Sequence, residues 1–393
     1  MARAVAVIDG EHYAPVVRAA FAEVEHEVVA AVLAGGTEKL RGGEDYGVPL
    51  HDDLDRALTE HEPDVVLDLS DEPVLSPGER LLLASRALAR GVAYEGPDFR
   101  FEPPSYAPFA LPSLAVIGTG KRVGKTAVTG HVARLLARDR DVVVVAMGRG
   151  GPPEPELIEV PPGVDDLVRL AREGRHAASD HLETAALARV VTVGCRRCGG
   201  GLAGMPGPSN VLAGAELAAS RNPDVVVFDG SGAAIPPIDV DARVLVAHDV
   251  GSGLNPYRVL VSDLVLTMSD EVADAAARLT DAPVLRFDLR LRPAEPLAGR
   301  RTAVFTTGPA PVEQLDAEVV LVSRNLARRD ALRVELEGLE AEVFLVEIKA
   351  AAVDVVVEAA LERGAEVVLA DNEVVAEGLD EALLSLLPAR VEA

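Results

Sequence analysis

Short hydrophobic runs rich in β-branched residues alternate with helical patterns in the first hundred residues. The runs cover residues 4–9, 27–35 and 64–70. Between residues 76 and 91 the pattern predicts a helix, because Ser76 is a suitable N-cap, Pro77 suits the first helical position and Gly91 follows the last turn. We therefore expect residues 1–108 to form a small N-terminal α/β domain that ends in a proline-rich linker and has a role in substrate binding or in dimerisation.

The middle of the chain is predicted to be a doubly wound, mainly parallel α/β core. Six nearly continuous apolar runs lie between residues 114 and 268, and helical patterns separate several of them. Runs without polar alternation are typical of parallel strands buried on both faces, and strands that alternate with helices indicate a doubly wound sheet. We assign this core to residues 109–298. Four further apolar runs predict a C-terminal α/β region over residues 299–393.

The net charge of the chain indicates which kinds of molecule it does not bind. The formal charge of −25 over 393 residues disfavours a general affinity for nucleic acid or for anionic membranes. No segment approaches the roughly 18 consecutive apolar residues of a membrane span, and the N-terminal residues lack the organisation of a signal peptide. We expect a cytoplasmic homodimer that acts on a small molecule and binds neither nucleic acid nor membrane.

Residues 114–126, LAVIGTGKRVGKT, carry the clearest chemical signal. A strand, a glycine loop, the tripeptide Gly124-Lys125-Thr126 and a helix follow one another, as in a phosphate-binding loop. In such a loop backbone N–H groups face the phosphates, Lys125 would reach the β- and γ-phosphates, and Thr126 would bind Mg²⁺. The alternative is an ordinary glycine turn. The chain has only four lysines, Lys39, Lys121, Lys125 and Lys349, and two of them lie here.

The loop spacing departs from the common motif, because Thr119 lies five residues before Gly124 and Gly118 lies six before it. We nevertheless expect the whole loop to contact the nucleotide. The residues expected to bind it are Gly118, Thr119, Gly120, Arg122, Val123, Gly124, Lys125, Thr126 and Ala127.

A carboxylate for Mg²⁺ is predicted at the end of the apolar run 224–230. Asp229 ends this run and precedes a Gly-Ser-Gly turn. Carboxylate oxygens suit Mg²⁺, which usually keeps several waters beside one or two protein ligands. We predict Thr126 and Asp229 as metal ligands, with Asp249 as a weaker second carboxylate. The alternative for Asp229 is a residue that only caps a turn.

Two glycine-rich loops follow strands of the predicted core and contain arginine. Arg149 lies beside three glycines, and Arg196 and Arg197 precede the segment CGGGLAG. Doubly wound folds bind ligands at the carboxyl ends of their strands, and arginine forms charge-assisted bonds to phosphate. The loops are therefore candidate phosphate receptors, although a solvated loop would show the same composition.

The two cysteines, Cys195 and Cys198, form a C-x-x-C motif. Two thiolates cannot complete a tetrahedral zinc site, so a metal shared between subunits or a redox pair would be needed for a chemical role. We favour a structural role, in which the cysteines shape the arginine loop.

The phosphate loop is similar to that of dethiobiotin synthetase and related members of the SIMIBI class. The chain as a whole resembles the cyclic 2,3-diphosphoglycerate synthetase family in the segments VIDGEHY, GTGKRVGKTAV, MGRGGPPEPELI, GCRRCGGGLAG, FDGSGAAIPP and EIKAAAVDVVVEAALERGAEVVLADNE. The resemblance implies an ATP- and Mg²⁺-dependent ligase that closes 2,3-diphosphoglycerate into a cyclic pyrophosphate and releases ADP and phosphate.

The resemblance and the charge of such a substrate suggest roles for individual residues. Many SIMIBI loops carry an additional lysine that contacts the phosphates, and Lys121 is the nearest candidate here, displaced by about one position. The expected catalytic residues are Lys121, Lys125, Arg149 and Asp229. The expected substrate-binding residues are Arg149, Arg196, Arg197, Lys349, His12 and Glu11.

Two other functions remain open from the residues. A kinase would stop after phosphoryl transfer, for instance to 2-phosphoglycerate. A nucleotide-switched regulator or metal-insertion GTPase would favour a guanine-recognition motif N-K-x-D and stretches rich in histidine and cysteine, neither of which occurs in the sequence.

Overall fold

The computed structural model describes residues 1–308 and 311–388 and contains three sheets in chain order. In the described ranges no helix is long and apolar enough to cross a membrane. The sequence-based prediction of an α/β fold is confirmed in all three regions.

The first sheet has six strands in the order β3-β2-β1-β4-β5-β6, parallel except for β6. Its elements are β1 (Arg3–Ile8), α1 (Ala14–Glu23), β2 (Glu27–Leu33), β3 (Leu50–His51), α2 (Leu54–His61), β4 (Val65–Asp68), α3 (Pro77–Ala89), β5 (Ala93–Gly96) and β6 (Phe99–Phe101). The predicted helix is confirmed: Ser76 caps α3 in a capping box with Glu79, and Gly91 follows the C-cap with a φ of 74°.

The middle sheet has eight strands in the order β14-β13-β12-β7-β11-β8-β10-β9, and only β9 runs antiparallel. Its strands are β7 (Ser113–Gly118), β8 (Val142–Gly148), β9 (Glu156–Ile158), β10 (Val191–Arg196), β11 (Val225–Asp229), β12 (Ala242–Ala247), β13 (Leu264–Thr267) and β14 (Val284–Arg286). Its helices are α4 (Lys125–Leu136), α5 (Val164–Arg172), α6 (Asp180–Ala188), α7 (Val211–Ala219), α8 (Asn255–Leu260) and α9 (Asp270–Ala277). The central strands are apolar throughout because helices cover both faces of the sheet.

The third sheet has five strands in the order β15-β19-β18-β16-β17. Its elements are β15 (Asp288–Pro293), β16 (Arg301–Phe305), β17 (Glu318–Ser323), α10 (Arg329–Leu336), β18 (Val343–Glu347), a π-helical segment (Ala352–Val357), α11 (Glu358–Glu362), β19 (Glu366–Val375) and α12 (Leu379–Ser385). The strand β15 lies within the span that we assigned to the core, yet it pairs antiparallel with β19 over residues 288–293.

The third region also packs against the helix that follows the phosphate loop. Side chains of β19 and α12 join the same apolar cluster as Val128 and Val132 of α4. Two polar contacts fasten these elements together: His131 to Asp380 at 2.8 Å, and Arg134 to Asp371 at 2.9 Å. The phosphate-loop helix is thus enclosed by the sheet below it and by C-terminal elements above it.

Candidate nucleotide and phosphate site

The predicted phosphate loop connects β7 to α4 at the carboxyl edge of the middle sheet. Gly124 has a φ of 93°, in the left-handed region that favours glycine, and a Cβ there would lie 3.3 Å from the Phe287 ring. It is the N-cap of α4 but supplies no side-chain cap, and the first turn of α4 has no acidic residue. The N–H groups at the start of α4 are therefore available to an anion.

The helix begins at Lys125, two residues earlier than the pattern predicts, so Lys125 and Thr126 are its first residues. The Lys125 ammonium group donates to Asp229 Oδ1 at 2.8 Å and to the Gly230 carbonyl. Thr129, one turn along α4, donates to the same carboxylate oxygen at 3.0 Å. The two residues predicted to bind phosphate and metal are thus in direct contact, at the ends of adjacent strands.

Asp229 has one carboxylate oxygen left for a further ligand. Its side chain is buried, and burial raises the pKa of the carboxyl group while Lys125 lowers it. Among the described residues, Asp229 Oδ2 has no hydrogen-bond partner. The half-buried Thr126 hydroxyl also makes no side-chain hydrogen bond within the described ranges. A carboxylate oxygen and a hydroxyl oxygen are donors of the kind that fit Mg²⁺.

Thr119 and Asp249 stabilise the opposite side of the loop. The Thr119 hydroxyl accepts from His248 N at 3.0 Å, which ties the loop to the end of β12. The Asp249 carboxylate accepts from Gly251 N at 2.9 Å and from Ser252 N at 3.2 Å. Asp249 therefore closes a turn beside the loop.

Lys121 and Arg197 lie on either side of the turn after β11. A Cβ placed on Gly232 of this turn would be 3.8 Å from Lys121 Cγ and 3.5 Å from Arg197 Nη2. Arg197 is buried and donates to the carbonyl of Ser231 at 2.7 Å and to that of Gly199. Burial and the nearby Arg149 lower the pKa of its guanidinium. The arginine loop and the phosphate loop therefore meet at Gly232.

Arg149 and Arg196 have exposed side chains at the ends of neighbouring strands. Arg149 follows β8, and Arg196 is the last residue of β10, two residues beyond the apolar run 190–194. Asn210, the N-cap of α7, joins the two loops, because its side chain accepts from Arg196 N at 2.6 Å and donates to the Pro153 carbonyl at 3.0 Å. Asn210 at the start of α7 thus holds the two arginine loops together. Its side-chain amide is used in these hydrogen bonds to the two loops.

Lys349 brings the C-terminal region to α6 of the core. Its ammonium group donates to the Glu183 carboxylate, which is buried. Burial raises the pKa of Glu183 to about 7, and the Lys349 charge opposes this shift. Burial also disfavours the charge on Lys349, but Glu183 outweighs that effect and the pKa of Lys349 is raised. The ion pair connects α6 of the core to the segment that follows β18 in the C-terminal region.

Asp180 is a residue of this site that the sequence analysis missed. It is the first residue of α6, and its Oδ2 lies 3.6 Å from the position of a Cβ on Gly148, at the end of β8. Its charge contributes to the raised pKa of Asp229 and of Lys349, and it opposes the lowering of the Arg197 pKa by burial. The local sequence indicates only a helix start at Ser179, and nothing in it shows that the helix points at the phosphate loop.

Two adjoining cavities beside these residues were also missed. A cavity of about 320 Å³ lies between the α5–α6 connection and the C-terminal region, lined by Arg175, His176 and Arg329. A second, of about 200 Å³, shares Arg175 and His176 and reaches Gly150 and Gly151 beside Arg149. The cavities therefore lead from the arginine loop towards the C-terminal region.

His12 and Glu11 are placed in the first sheet. The Asp9 carboxylate accepts from Glu11 N at 3.0 Å and lies 3.1 Å from His12 Nδ1. Contact with Glu38 raises the pKa of Glu11. The contacts that the structure describes for both side chains are with residues 9–39, and none brings them to the phosphate loop.

The cysteines differ in environment. Cys195 is buried in β10, where a Cβ on Gly214 of α7 would overlap its sulfur, and burial raises the pKa of its thiol to about 12. Cys198 is exposed in the following loop. Within the described residues neither belongs to a group of potential metal ligands. Cys195 therefore packs as a buried side chain between β10 and α7, and the structural role of the pair stays a prediction.

Comparisons with known proteins agree along the length of the chain. Three models of cyclic 2,3-diphosphoglycerate synthetase match it: the N-terminal domain at residues 3–102, the P-loop domain at 113–281 and the C-terminal domain at 293–373. Curated proteins of that name from Rubrobacter xylanophilus and Thermococcus kodakarensis are 49% and 43% identical. The alignments cover 98% and 94% of this chain and 97% and 94% of those proteins. The ATP complex of LpxK from Aquifex aeolicus aligns over 72% of this chain and 91% of that chain, with 15% identity and a TM-score of 0.44.

Proposed function

Because this chain belongs to the cyclic 2,3-diphosphoglycerate synthetase family, we propose that it uses ATP and Mg²⁺ to close 2,3-diphosphoglycerate into its cyclic pyrophosphate. ADP and phosphate are released, and the reaction takes place in the cytoplasm. The observation that carries the proposal is the match to all three domains of the family, in order. The contact between Lys125 and Asp229 supports it, since it joins a phosphate-loop lysine to a buried carboxylate.

The reaction is a pair of displacements. An oxygen of one substrate phosphate attacks the γ-phosphorus of ATP, and the bond to ADP breaks. The first substrate phosphate now carries the former γ-phosphoryl group. An oxygen of the other substrate phosphate then attacks the original phosphorus of this activated phosphate, and the former γ-phosphoryl group leaves as inorganic phosphate while the ring closes. Both nucleophiles are phosphate oxygens, so the protein mainly has to position and neutralise charge.

When the nucleotide binds, Lys125 exchanges its partner Asp229 for the phosphates of ATP. In the structure its ammonium group is bound to Asp229, so Lys125 turns to the β- and γ-phosphates while Asp229 becomes available with Thr126 to hold Mg²⁺. Bound Mg²⁺ would neutralise charge on these phosphates. Lys121 stabilises the γ-phosphoryl group from the loop side, and the N–H groups at the start of α4 contribute their dipoles.

Substrate binding draws on the cations across the crevice from the loop. Arg149 and Arg196 have exposed side chains that can reach a phosphate, and Arg197 shapes the turn at Ser231. Lys349 adds a charge from the C-terminal region. The chain carries a net charge of −25, so a local group of cations is required to admit a highly anionic substrate. We leave His12 and Glu11 outside this scheme, because their contacts lie within the first sheet.

Phosphorus NMR tests the proposal. The purified protein is incubated with ATP, Mg²⁺ and 2,3-diphosphoglycerate, and the Lys125→Met variant serves as the matched control. We expect two coupled pyrophosphate resonances together with equal amounts of ADP and phosphate, and none of these with the variant. Consumption of ATP without the pyrophosphate resonances would overturn the ligase and favour a kinase or a nucleotide switch.

A further inference from the structure

Two histidines and a glutamate meet at the outer edge of the first sheet, in a different sheet from the phosphate loop. His51 is the last residue of the edge strand β3, and Glu60 and His61 are the last two residues of α2. The two Nε2 atoms are 2.9 Å apart, and Glu60 Oε2 lies 4.0 Å from His51 Nε2. All three potential ligand atoms lie within 4.8 Å of one another.

These separations are close to those of a metal site. Zinc binds histidine nitrogen and carboxylate oxygen at about 2.0–2.2 Å in tetrahedral sites, which places neighbouring ligand atoms roughly 3.3–3.5 Å apart. The observed 2.9 and 4.0 Å lie on either side of that range. The rings meet edge to face, with centroids 5.0 Å apart at 74°, and their Nε2 atoms face each other across 2.9 Å. To bind one ion, the exposed Glu60 carboxylate would move towards the histidines, and the two Nε2 atoms would separate by a few tenths of an ångström.

The surroundings also prepare the glutamate for this role. Arg56 donates to Glu60 Oε1 at 2.7 Å, which leaves Oε2 directed at the histidines. A partner that orients a ligating carboxylate in this way is typical of metal sites. The His51 side chain is only 6% exposed, so its ring is held in place by the protein.

The other group of potential ligands in the described residues is Asp9, His12 and Asp71. Asp9 Oδ1 is next to both Glu11 N and His12 Nδ1, and Asp9 Oδ2 accepts from Asp71 N at 3.0 Å. The buried carboxylate is thus occupied in joining two loops. In the described part of the chain, by contrast, the Nε2 atoms of His51 and His61 have only each other and Glu60 as partners.

We propose that His51, Glu60 and His61 form a zinc site, with water completing the tetrahedron. Two imidazoles and one carboxylate select zinc and similar transition metals over Mg²⁺ and Ca²⁺, which prefer sites made only of oxygen ligands. The ion would join the two-residue strand β3 to the end of α2. Such a link protects an exposed sheet edge from pairing with another chain.

Calorimetry on the metal-stripped full-length protein tests the site, with Zn²⁺ titrated in an excess of Mg²⁺ that occupies oxygen-only sites. Co²⁺ absorption serves as the spectroscopic probe of a tetrahedral site. We expect one equivalent of Zn²⁺ with a Kd in the micromolar range or tighter. His51→Gln and His61→Gln should each weaken binding by more than the roughly 10- to 100-fold that loss of a supporting partner causes. His12→Gln, in the other group, is the matched control and should bind as the unmodified protein does.

Thermal melting confirms that each variant is folded, and the half-buried His61 provides the second variant if His51→Gln fails to fold. Absence of saturable zinc binding in the unmodified protein would overturn the proposal. Binding that survives both histidine substitutions would do the same. Neither nucleotide nor 2,3-diphosphoglycerate is present, so the result is independent of the proposed function.

Discussion

Replacing Lys125 with methionine removes the ammonium group but keeps the length of the side chain, and it should damage activity and stability for different reasons. At the observed 2.8 Å, the attraction between Lys125 and Asp229 is about 6 kcal/mol for an effective dielectric constant of about 20. Desolvation of both groups offsets much of this. Removal of one partner from a buried pair typically costs about 3–5 kcal/mol, because the other charge is left without compensation.

The loss of stability should depend on pH. Without Lys125, burial raises the pKa of Asp229 further above its ordinary value, so the folded variant holds its proton more tightly than the unfolded chain does. Stability is then retained at acidic pH and lost as the pH rises from the unfolded pKa towards the folded one. The Lys125→Met variant should therefore lie nearer to the unmodified protein in stability at pH 5 than at pH 8.

The double variant Lys125→Met/Asp229→Asn separates the two effects. The amide carries no charge, so the free energy of unfolding at pH 8 should recover most of the loss. Activity should not recover, since the phosphate cation is still missing, and kcat should remain lower by roughly 10²–10⁴-fold. Urea unfolding at pH 5 and pH 8, with a steady-state assay of phosphate release, provides the measurements. Equal stability of Lys125→Met at both pH values, or recovery of activity in the double variant, would refute this reasoning.

Three further predictions concern the cations and carboxylates around the loop. Alanine at both Arg196 and Arg197 should lower kcat/KM for 2,3-diphosphoglycerate by roughly 10²–10⁴-fold, because Arg196 loses a charge-assisted bond to phosphate and the turn at Ser231 loses its Arg197 hydrogen bond. ATP affinity should change far less, and its collapse would assign the pair to the nucleotide. Asp180→Asn should alter the Mg²⁺ concentration needed for the half-maximal rate. Asp270→Asn should leave this concentration unchanged and is the matched control, because Asp270 is also the first residue of a helix after a serine N-cap. Identical Mg²⁺ titrations of the two variants would remove Asp180 from the site. Burial raises the pKa of Glu183 to about 7, so stability should fall as the pH rises from about 4.5 to 7, and Glu183→Gln should flatten that part of a denaturation profile.

Patterns among neighbouring residues were sufficient to predict helix α3 and the buried strands of the core. The helix at Pro77–Ala89 needs only its cap, its proline and the glycine after its end, all adjacent in sequence. The strands of the core are continuous apolar runs because both faces are buried, and this too is visible in a few residues. The class of the fold follows from the alternation of such elements.

What the sequence could not show is which distant segments meet. The pairing of β15 with β19 joins residues about 80 positions apart, and no local pattern encodes it. Asp180 resembles any acidic residue at a helix start until the fold directs α6 at the phosphate loop. The partner of Lys349 was hidden for the same reason, since Glu183 lies in α6, more than 160 residues earlier in the chain. His12 and Glu11 stand beside a strand end, as expected of ligand-binding residues, but that strand belongs to the first sheet.

Because C-terminal elements enclose α4, the P-loop domain depends on residues that lie outside it in the sequence. The match to the P-loop domain ends at residue 281, but Phe287, which packs against Gly124 of the loop, and the side chains of β19 and α12 that cover α4 all come later in the chain. A fragment cut at that boundary would expose an apolar face of the nucleotide-binding helix to water. The segment that matches the P-loop domain family is therefore shorter than the segment that must fold together to bury α4. A shuffled or truncated gene that kept only the first two domains would encode a phosphate loop without the surface that holds its helix in place.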